Sequence, residues 1–290
     1  MSRTTVLKTY KLWVNGEFIR SESGRAYEVR DARGKFWANA PQASRKDLRD
    51  AVQAARKAQS GWAKRTPYNR GQILYRVAEM LETRRDALGA ELQAITSVAQ
   101  CDADTEISVA IDRWVYYAGW SDKYAALLSS VNPVAMPMHN FTTPEPMGVV
   151  GIACPETAPL ASLTSLIAPA IVSGNAVVAL LPETAPTVGL AFAEVLATSD
   201  LPAGVVNFLS GRFAELLPHL ARHVEVDALN LCGVPETERA PYEHAAAETI
   251  TRLHHSPSLT YAEWLSDRAQ GLEWIEPFLE FKTVWHPLGW

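Results

Sequence analysis

Apolar positions change their spacing along the chain, and each change marks an element. Residues 12–14 (LWV) and 17–19 (EFI) flank Asn15-Gly16. Two β-prone runs around Asn-Gly predict a hairpin, because the tight turn that matches strand twist needs positive φ at its central residues. From Ser44 the spacing becomes helical. Ser44 and Asp47 have the spacing of an N-cap and capping box, and Leu48, Val52, Ala55 and Gln59 fall on one face. Thr66-Pro67 opens a second helix, with proline where its missing N–H costs nothing. Ile73, Leu74, Val77, Ala78, Leu81 and Leu88 carry its stripe, and a third helix is predicted over residues 102–128.

At Asn132 the helical block ends. Residues 132–146 are rich in Pro and Thr and predict an extended excursion. A regular alternation follows. Strands are predicted over 148–154, 176–181, 205–209 and 226–231, with helices over 160–172, 185–197 and 213–222 between them. Strands that are apolar throughout, separated by helices, predict an α/β fold with a doubly wound parallel sheet covered on both faces. The tail predicts helices over 238–254 and 261–271 and a strand over 281–285.

The composition narrows the function classes. Hydrophobic residues make up 48% of the 290 and charged residues 20%, which suits a packed core and excludes a disordered chain. A net charge of −5 gives no electrostatic footprint for nucleic acid or an anionic membrane. Three cysteines (Cys101, Cys154, Cys232) do not make a secreted disulfide framework, and the first residues lack a signal-peptide pattern, so a cytoplasmic location is expected. Cys154 and Cys232 sit at predicted strand ends and read as small buried hydrophobes. His219 and His223 share a helix face, but Leu220 replaces the Glu of a zinc-protease motif, so no metal site is expected.

The order of landmarks resembles the nucleotide-binding half of the NAD(P)-dependent aldehyde dehydrogenase family. LWVNGEF at 12–18 resembles its first hairpin, and Trp62, Arg70, Leu74 and Leu81 resemble its long-helix pattern. PMGVVG at 146–151, GNAVV at 174–178, LPAGVVN at 201–207 and VDAL at 226–229 resemble its successive sheet strands. Residues 282–284 (KTV) resemble its C-terminal oligomerisation strand. The resemblance implies a Rossmann-like domain over 1–134 and 147–256, a projecting β oligomerisation flap over 135–146 and 274–290, and a helical connector over 257–273.

The departures are as specific as the matches. Thr157 stands where the family has the Asn that donates to the oxyanion, a donor whose loss typically costs about 10²–10³ in rate. Leu180 stands at the Lys that grips the adenosine ribose, and Val234 at the Ser under the pyrophosphate. A charge-assisted hydrogen bond contributes roughly 1.5–3 kcal/mol, so two losses move a micromolar dinucleotide towards millimolar. No cofactor is therefore expected, with NAD(P) binding weak or vestigial. Glu183 matches the family's acidic residue near the ribose but reads here as a charge at a helix N-terminus.

The family's catalytic domain follows the Thr-Gly-Ser segment. Here only residues 234–260 separate Gly233 from Tyr261, less than one βαβ unit of roughly 30 residues. No Glu-Leu-Gly-Gly or Gly-Gln-x-Cys segment occurs. The expectation is thus a chain without catalytic residues that resembles the second, silent copy of two-part family members. Its partner would be a full-length aldehyde dehydrogenase or a second copy of itself. Asn140, Phe141, Thr142, Phe281, Lys282, Thr283, Val284 and Trp285 would form the interface, with Trp264, Trp274 and Trp290 as nearby anchors. Two alternatives are an oxidoreductase subunit that binds NAD(P) and borrows its partner's catalytic domain, and a self-assembling structural homodimer.

Overall fold

The computed structural model describes residues 6–96 and 98–289. Strands β1 (Leu12–Val14) and β2 (Glu17–Ile19) form the Asn-Gly hairpin, with Leu12 opposite Ile19 and positive φ at Asn15 and Gly16. A second hairpin joins β3 (Ala26–Arg30) to β4 (Phe36–Pro41). Helix α1 (Arg45–Ala63) starts at Ser44, whose hydroxyl accepts from the Asp47 N–H while the Asp47 carboxylate accepts from the Ser44 N–H. Such a cap contributes about 1 kcal/mol. Helix α2 (Pro67–Glu82) follows the Thr66 cap.

The helical block is more divided than its periodicity suggests. Helix α2 ends at Glu82, and Leu88 belongs to α3 (Arg85–Thr96). The helix predicted over 102–128 is two, α4 (Gln100–Trp120) and α5 (Tyr124–Leu128). The break lies at Ser121, whose hydroxyl turns back onto the Ala118 carbonyl at 2.8 Å. Local side-chain bonds of this kind compete with helix continuation.

Strands β5 (Ser130–Asn132) and β6 (Met138–Pro146) lead into the core alternation. It runs β7 (Val149–Ala153), α6 (Pro159–Val172), β8 (Ala176–Leu180), α7 (Pro186–Leu196), β9 (Val206–Leu209), α8 (Phe213–Ala221) and β10 (Ala228–Asn230). The tail corrects two expectations. Residues 238–254 are not one helix: α9 (Ala240–Ala247) stops, Ile250 takes φ 58°, and β11 (Arg252–His254) pairs parallel with β10. Residues 261–271 hold only α10 (Tyr261–Trp264) and a 3₁₀ turn. Strand β12 (Leu279–Pro287) closes the described chain.

The central sheet has seven strands in the order β11-β10-β7-β8-β9-β1-β2. Its five central and edge strands from β11 to β9 are parallel, whereas β1 joins β9 antiparallel, with Trp13 opposite Phe208. The sheet is therefore mixed and largely parallel, not parallel throughout. A separate sheet, β12-β6-β5, runs antiparallel with Leu279 opposite Pro146 and Pro287 opposite Met138.

Buried polar groups hold the N-terminal ends of the parallel strands. The Asn175 side chain accepts from the Gly148 N–H at 2.8 Å and donates to the carbonyls of Ala170 and Phe278, each at 2.9 Å. Asn207 accepts from the Asn15 N–H and donates to the Gly204 and Val177 carbonyls. Trp62 donates to Ile171 at 2.8 Å, and buried Arg70 donates to Val172, Ala63 and Arg65, fixing α1 and α2 to the end of α6. Each of these carbonyls, left unmatched in the interior, would cost about 1–3 kcal/mol.

Candidate functional site

The strand order changes direction between β7 and β10. In an open α/β sheet the crevice beyond the carboxyl ends of such strands is where ligands bind. Anions are held there by the free N–H groups and positive dipole ends of the following helices. Around this crevice, carboxylates of the chain itself hold N–H groups at the starts of α6 and α8 and in the turn that precedes α7.

At α6 the donors are Leu160 and Ala161. Both N–H groups donate to one oxygen of Glu106, at 2.8 and 3.2 Å. Glu106 reaches in from α4 and is fully buried. Burial pushes its carboxyl above the usual range, and the two N–H groups act in the opposite direction. Ala158, just before α6, has the left-handed φ of 48°. At the turn into α7, the Glu156 carboxylate accepts from the Glu183 N–H at 2.7 Å, the Thr184 N–H and the Thr184 hydroxyl. At α8, Glu183 accepts from the Phe213 N–H at 2.6 Å and from Arg212 at 2.9 Å. Glu183 thus caps α8 from a distance and not the helix it precedes.

The crevice itself is small. A cleft of about 260 Å³ is lined by Glu156, Glu183, Glu238, Phe213, Val234 and Tyr242. Small-molecule sites commonly span roughly 300–1,000 Å³. Three carboxylates on its walls oppose any phosphate. Its floor is closed by backbone contact: Gly233 donates to the Ala153 carbonyl at 2.8 Å, and a Cβ on Gly233 would lie 2.2 Å from the Cys154 carbonyl oxygen.

The thiols at this floor are not activated. Cys154 and Cys232 are free and buried. Burial pushes the Cys154 thiol well up, and Cys232 up to about 12. A nucleophilic cysteine needs the opposite, a thiolate stabilised near neutral pH. The side chain of Cys101 lies outside the described residues. Among the described residues no cluster of three His, Cys, Asp or Glu forms a metal site, and no helix is long and apolar enough to cross a membrane.

The Aldehyde dehydrogenase family model matches residues 18–256, most of the chain. This chain belongs to the aldehyde dehydrogenase family. It is 34% identical over 246 residues to the mitochondrial benzaldehyde dehydrogenase of Antirrhinum majus, covering 83% of this chain and 45% of that protein. It is 33% identical over 240 residues to a cytosolic 10-formyltetrahydrofolate dehydrogenase of Xenopus tropicalis, covering 80% of this chain and 26% of that one. Among solved structures, an aldehyde dehydrogenase from Bacillus cereus in complex with NAD+ superposes with a TM-score of 0.81 at 27% identity, covering 86% of this chain and 50% of that one. The chain thus spans about half or less of the length of these relatives.

Within this aldehyde dehydrogenase fold, two of the singled-out positions, Glu183 and Val234, line the cleft. Thr157 is exposed and is not among the residues that line it. Leu180 is 1% exposed and packed in the core that holds Leu209, Leu231 and Val234, so it belongs to the interior and not to a ligand surface. Val234 is likewise buried. Two carboxylates that sequence reasoning did not single out, Glu106 and Glu156, shape the site more than the substituted positions do. Asp102, Asp104 and Asp112 on the same helix left Glu106 without a distinguishing signal in the sequence.

The β6–β12 residues separate into two groups. Phe281 and Trp285 are about half exposed. Lys282 pairs with Glu145, and the Thr283 and Thr142 hydroxyls share a hydrogen bond at 2.9 Å. Phe141 and Val284 lie opposite one another and are partly covered. Asn140 departs from expectation. It is 2% exposed and accepts from Asn132 of β5, so it is an internal contact and not an outward one. Trp264 and Trp274 are corrected too: both are buried and packed on each other, with ring centroids 5.8 Å apart, in the chain's own core. Trp290 lies outside the described residues.

Proposed function

We propose that this chain is a catalytically silent aldehyde-dehydrogenase-like subunit that assembles with a complete aldehyde dehydrogenase and supports its structure or regulation. The observation that carries the reading is the self-occupied crevice: Glu106 and Glu183 take N–H groups at the starts of α6 and α8, and Glu156 takes those of the turn before α7, where a bound anion would need them. Leu180 and Val234 add apolar, buried side chains where the family motif has ligand groups, so NAD(P) binds weakly if at all. Thr157 offers no amide donor for an oxyanion. Between Val234 and β12 lie only short elements, which supports the absence of an inserted catalytic domain.

The partner surface is the sheet formed by β6 and β12. The outer edge of β12 pairs with no other strand among the described residues, and Phe281 and Trp285 stand exposed on it. A free edge of nine residues suits strand addition by another chain. The setting is the cytoplasm, in keeping with free buried thiols.

Co-expression with a full-length aldehyde dehydrogenase of the same organism, followed by native mass spectrometry and NAD titration calorimetry, tests the reading. The expected result is a hetero-oligomer and no NAD binding by this chain alone at micromolar concentration. Micromolar NAD binding by the isolated chain would instead favour a subunit that borrows its partner's catalytic domain. A stable homodimer that ignores the dehydrogenase would refute the partnership.

A further inference from the structure

While the crevice is lined with carboxylates, the cations gather at the other end of α8. A surface cleft of about 820 Å³ separates the end of α8 from the first turns of α1. Its walls carry Arg45, Lys46 and Arg49 from α1, and His219, Arg222 and His223 from α8 and the residues after it. Glu22 is the one lining carboxylate among the described residues. Both histidines are held below their usual range, first by burial; Arg45 and Arg222 add to this at His219, and Arg56 adds at His223 against Glu225. With the histidines neutral, four cations face one acid, in a chain of net charge −5.

The cations are weakly committed. Arg49 pairs with Asp50 at 3.1 Å, Arg222 with Glu248 at 3.6 Å and Lys46 with Glu22 at 3.9 Å, all through largely exposed side chains. Exposed pairs of this kind contribute about 0–1 kcal/mol and yield readily to a better anion. Arg45 has no ion-pair partner among the described residues. Glu22 already behaves as a built-in anion: it accepts from the Ser44 hydroxyl at 2.9 Å, at the positive end of α1. Its side chain is 43% exposed.

We propose that this cleft binds a small polyanion carrying two or more phosphoryl groups, held by Arg45, Arg49 and Arg222 with Glu22 displaced. A single carboxylate satisfies one guanidinium. Three guanidiniums on two facing helices match a ligand with several phosphate oxygens, the geometry that arginine forks suit best. The volume lies within the usual range for a small-molecule site. The reading is independent of the proposed partnership, since no residue lining the cleft belongs to β6 or β12.

Isothermal titration with sodium tripolyphosphate at pH 7.5 and about 100 mM salt tests it, with ATP as a second arm that separates a nucleotide from an inorganic source. Single-site binding is expected, weakening as salt screens the cleft. Arg45→Glu should weaken it by at least about tenfold, the scale of one charge-assisted contact. That variant keeps its fold, because an acid in the first turn of a helix is favourable. Glu22→Gln should tighten binding several-fold. The same pattern with ATP binding more tightly than tripolyphosphate supports the site and assigns it a nucleotide; equal binding supports it and assigns the phosphate chain alone. No binding by the unaltered protein, or binding by either probe that survives Arg45→Glu, overturns the assignment.

Discussion

Restoring a lysine at Leu180 tests whether that position still belongs to a ligand site. Leu180 ends β8 with 1% exposure and packs in an apolar cluster with Leu209 and Leu231. Leu180→Lys removes about 2 kcal/mol of apolar burial. The ammonium must also lose its solvation or its proton. Lysine titrates near 10.4 in water, so holding it neutral at pH 7 costs about 3.4 pKa steps at roughly 1.36 kcal/mol each, or about 4–5 kcal/mol. Snorkelling of the stem towards the crevice recovers part of this, which leaves a net loss of about 3–6 kcal/mol. For a chain of this length that is a fall in Tm of roughly 5–10 °C by calorimetry. The sign with pH is fixed: a lysine with a depressed pKa in the folded state destabilises below its unfolded pKa. The deficit should therefore shrink by up to about 1.4 kcal/mol per unit between pH 7 and 9. NAD titration should show no gain in affinity, because Glu156 and Glu183 keep the N–H groups they hold. A variant that keeps its Tm and binds NAD at micromolar concentration would refute the reasoning.

The same geometry makes further predictions. Gly233→Ala places a Cβ 2.2 Å from the Cys154 carbonyl oxygen, where backbone must move, and should cost about 2–4 kcal/mol in chemical denaturation; no loss would mean that β7 and β10 separate easily. Native alkylation with iodoacetamide at pH 8, read by peptide mapping, should leave Cys154 and Cys232 unmodified until denaturant is added, since both thiols are buried and titrate high. His219, His223 and His254 all titrate below their usual value, chiefly through burial. The unfolded chain then binds more protons below about pH 6.5, so stability should fall from pH 7 to pH 5; a flat profile there would contradict the assignment.

The parts of the fold that were legible in the sequence are those specified locally. Asn15-Gly16 supplies the positive φ of its turn, and Ser44 with Asp47 supplies a cap that forms as the spacing suggests. The apolar runs of β7, β8 and β9 were visible because both faces of that sheet are covered. Strand β11 was not visible. Its three residues, Arg-Leu-His, have no strand signature and are held extended by pairing with β10, a contact set by tertiary structure. The turn that ends α9 is likewise fixed by context: the Thr251 hydroxyl bonds to the Val226 carbonyl across the sheet edge. At the site, Thr157, Leu180 and Val234 were singled out from the sequence by resemblance alone. The use of Glu106, Glu156 and Glu183 could not be read there, since each carboxylate bonds N–H groups of another part of the chain.

The two ends of the parallel sheet have different chemistry, and that contrast bears on what the chain is for. At the N-terminal ends, buried Asn175 and Asn207 satisfy strand and loop backbone through direct bonds. These contacts need no ligand and stabilise the fold in every state. At the C-terminal ends, glutamates of the chain take N–H groups at the starts of α6 and α8 and in the turn before α7. A dinucleotide entering there would have to displace carboxylates from positive helix ends and push its own phosphates past Glu238. Displacing Glu106 would in addition strand a carboxylate in the interior, where an unpaired charge costs several kcal/mol. On the proposed reading, the crevice gains little from a nucleotide. The exposed aromatic edge of β12 and the weakly paired arginines around the start of α1 are the surfaces on which the two proposals rest, so binding experiments should begin there.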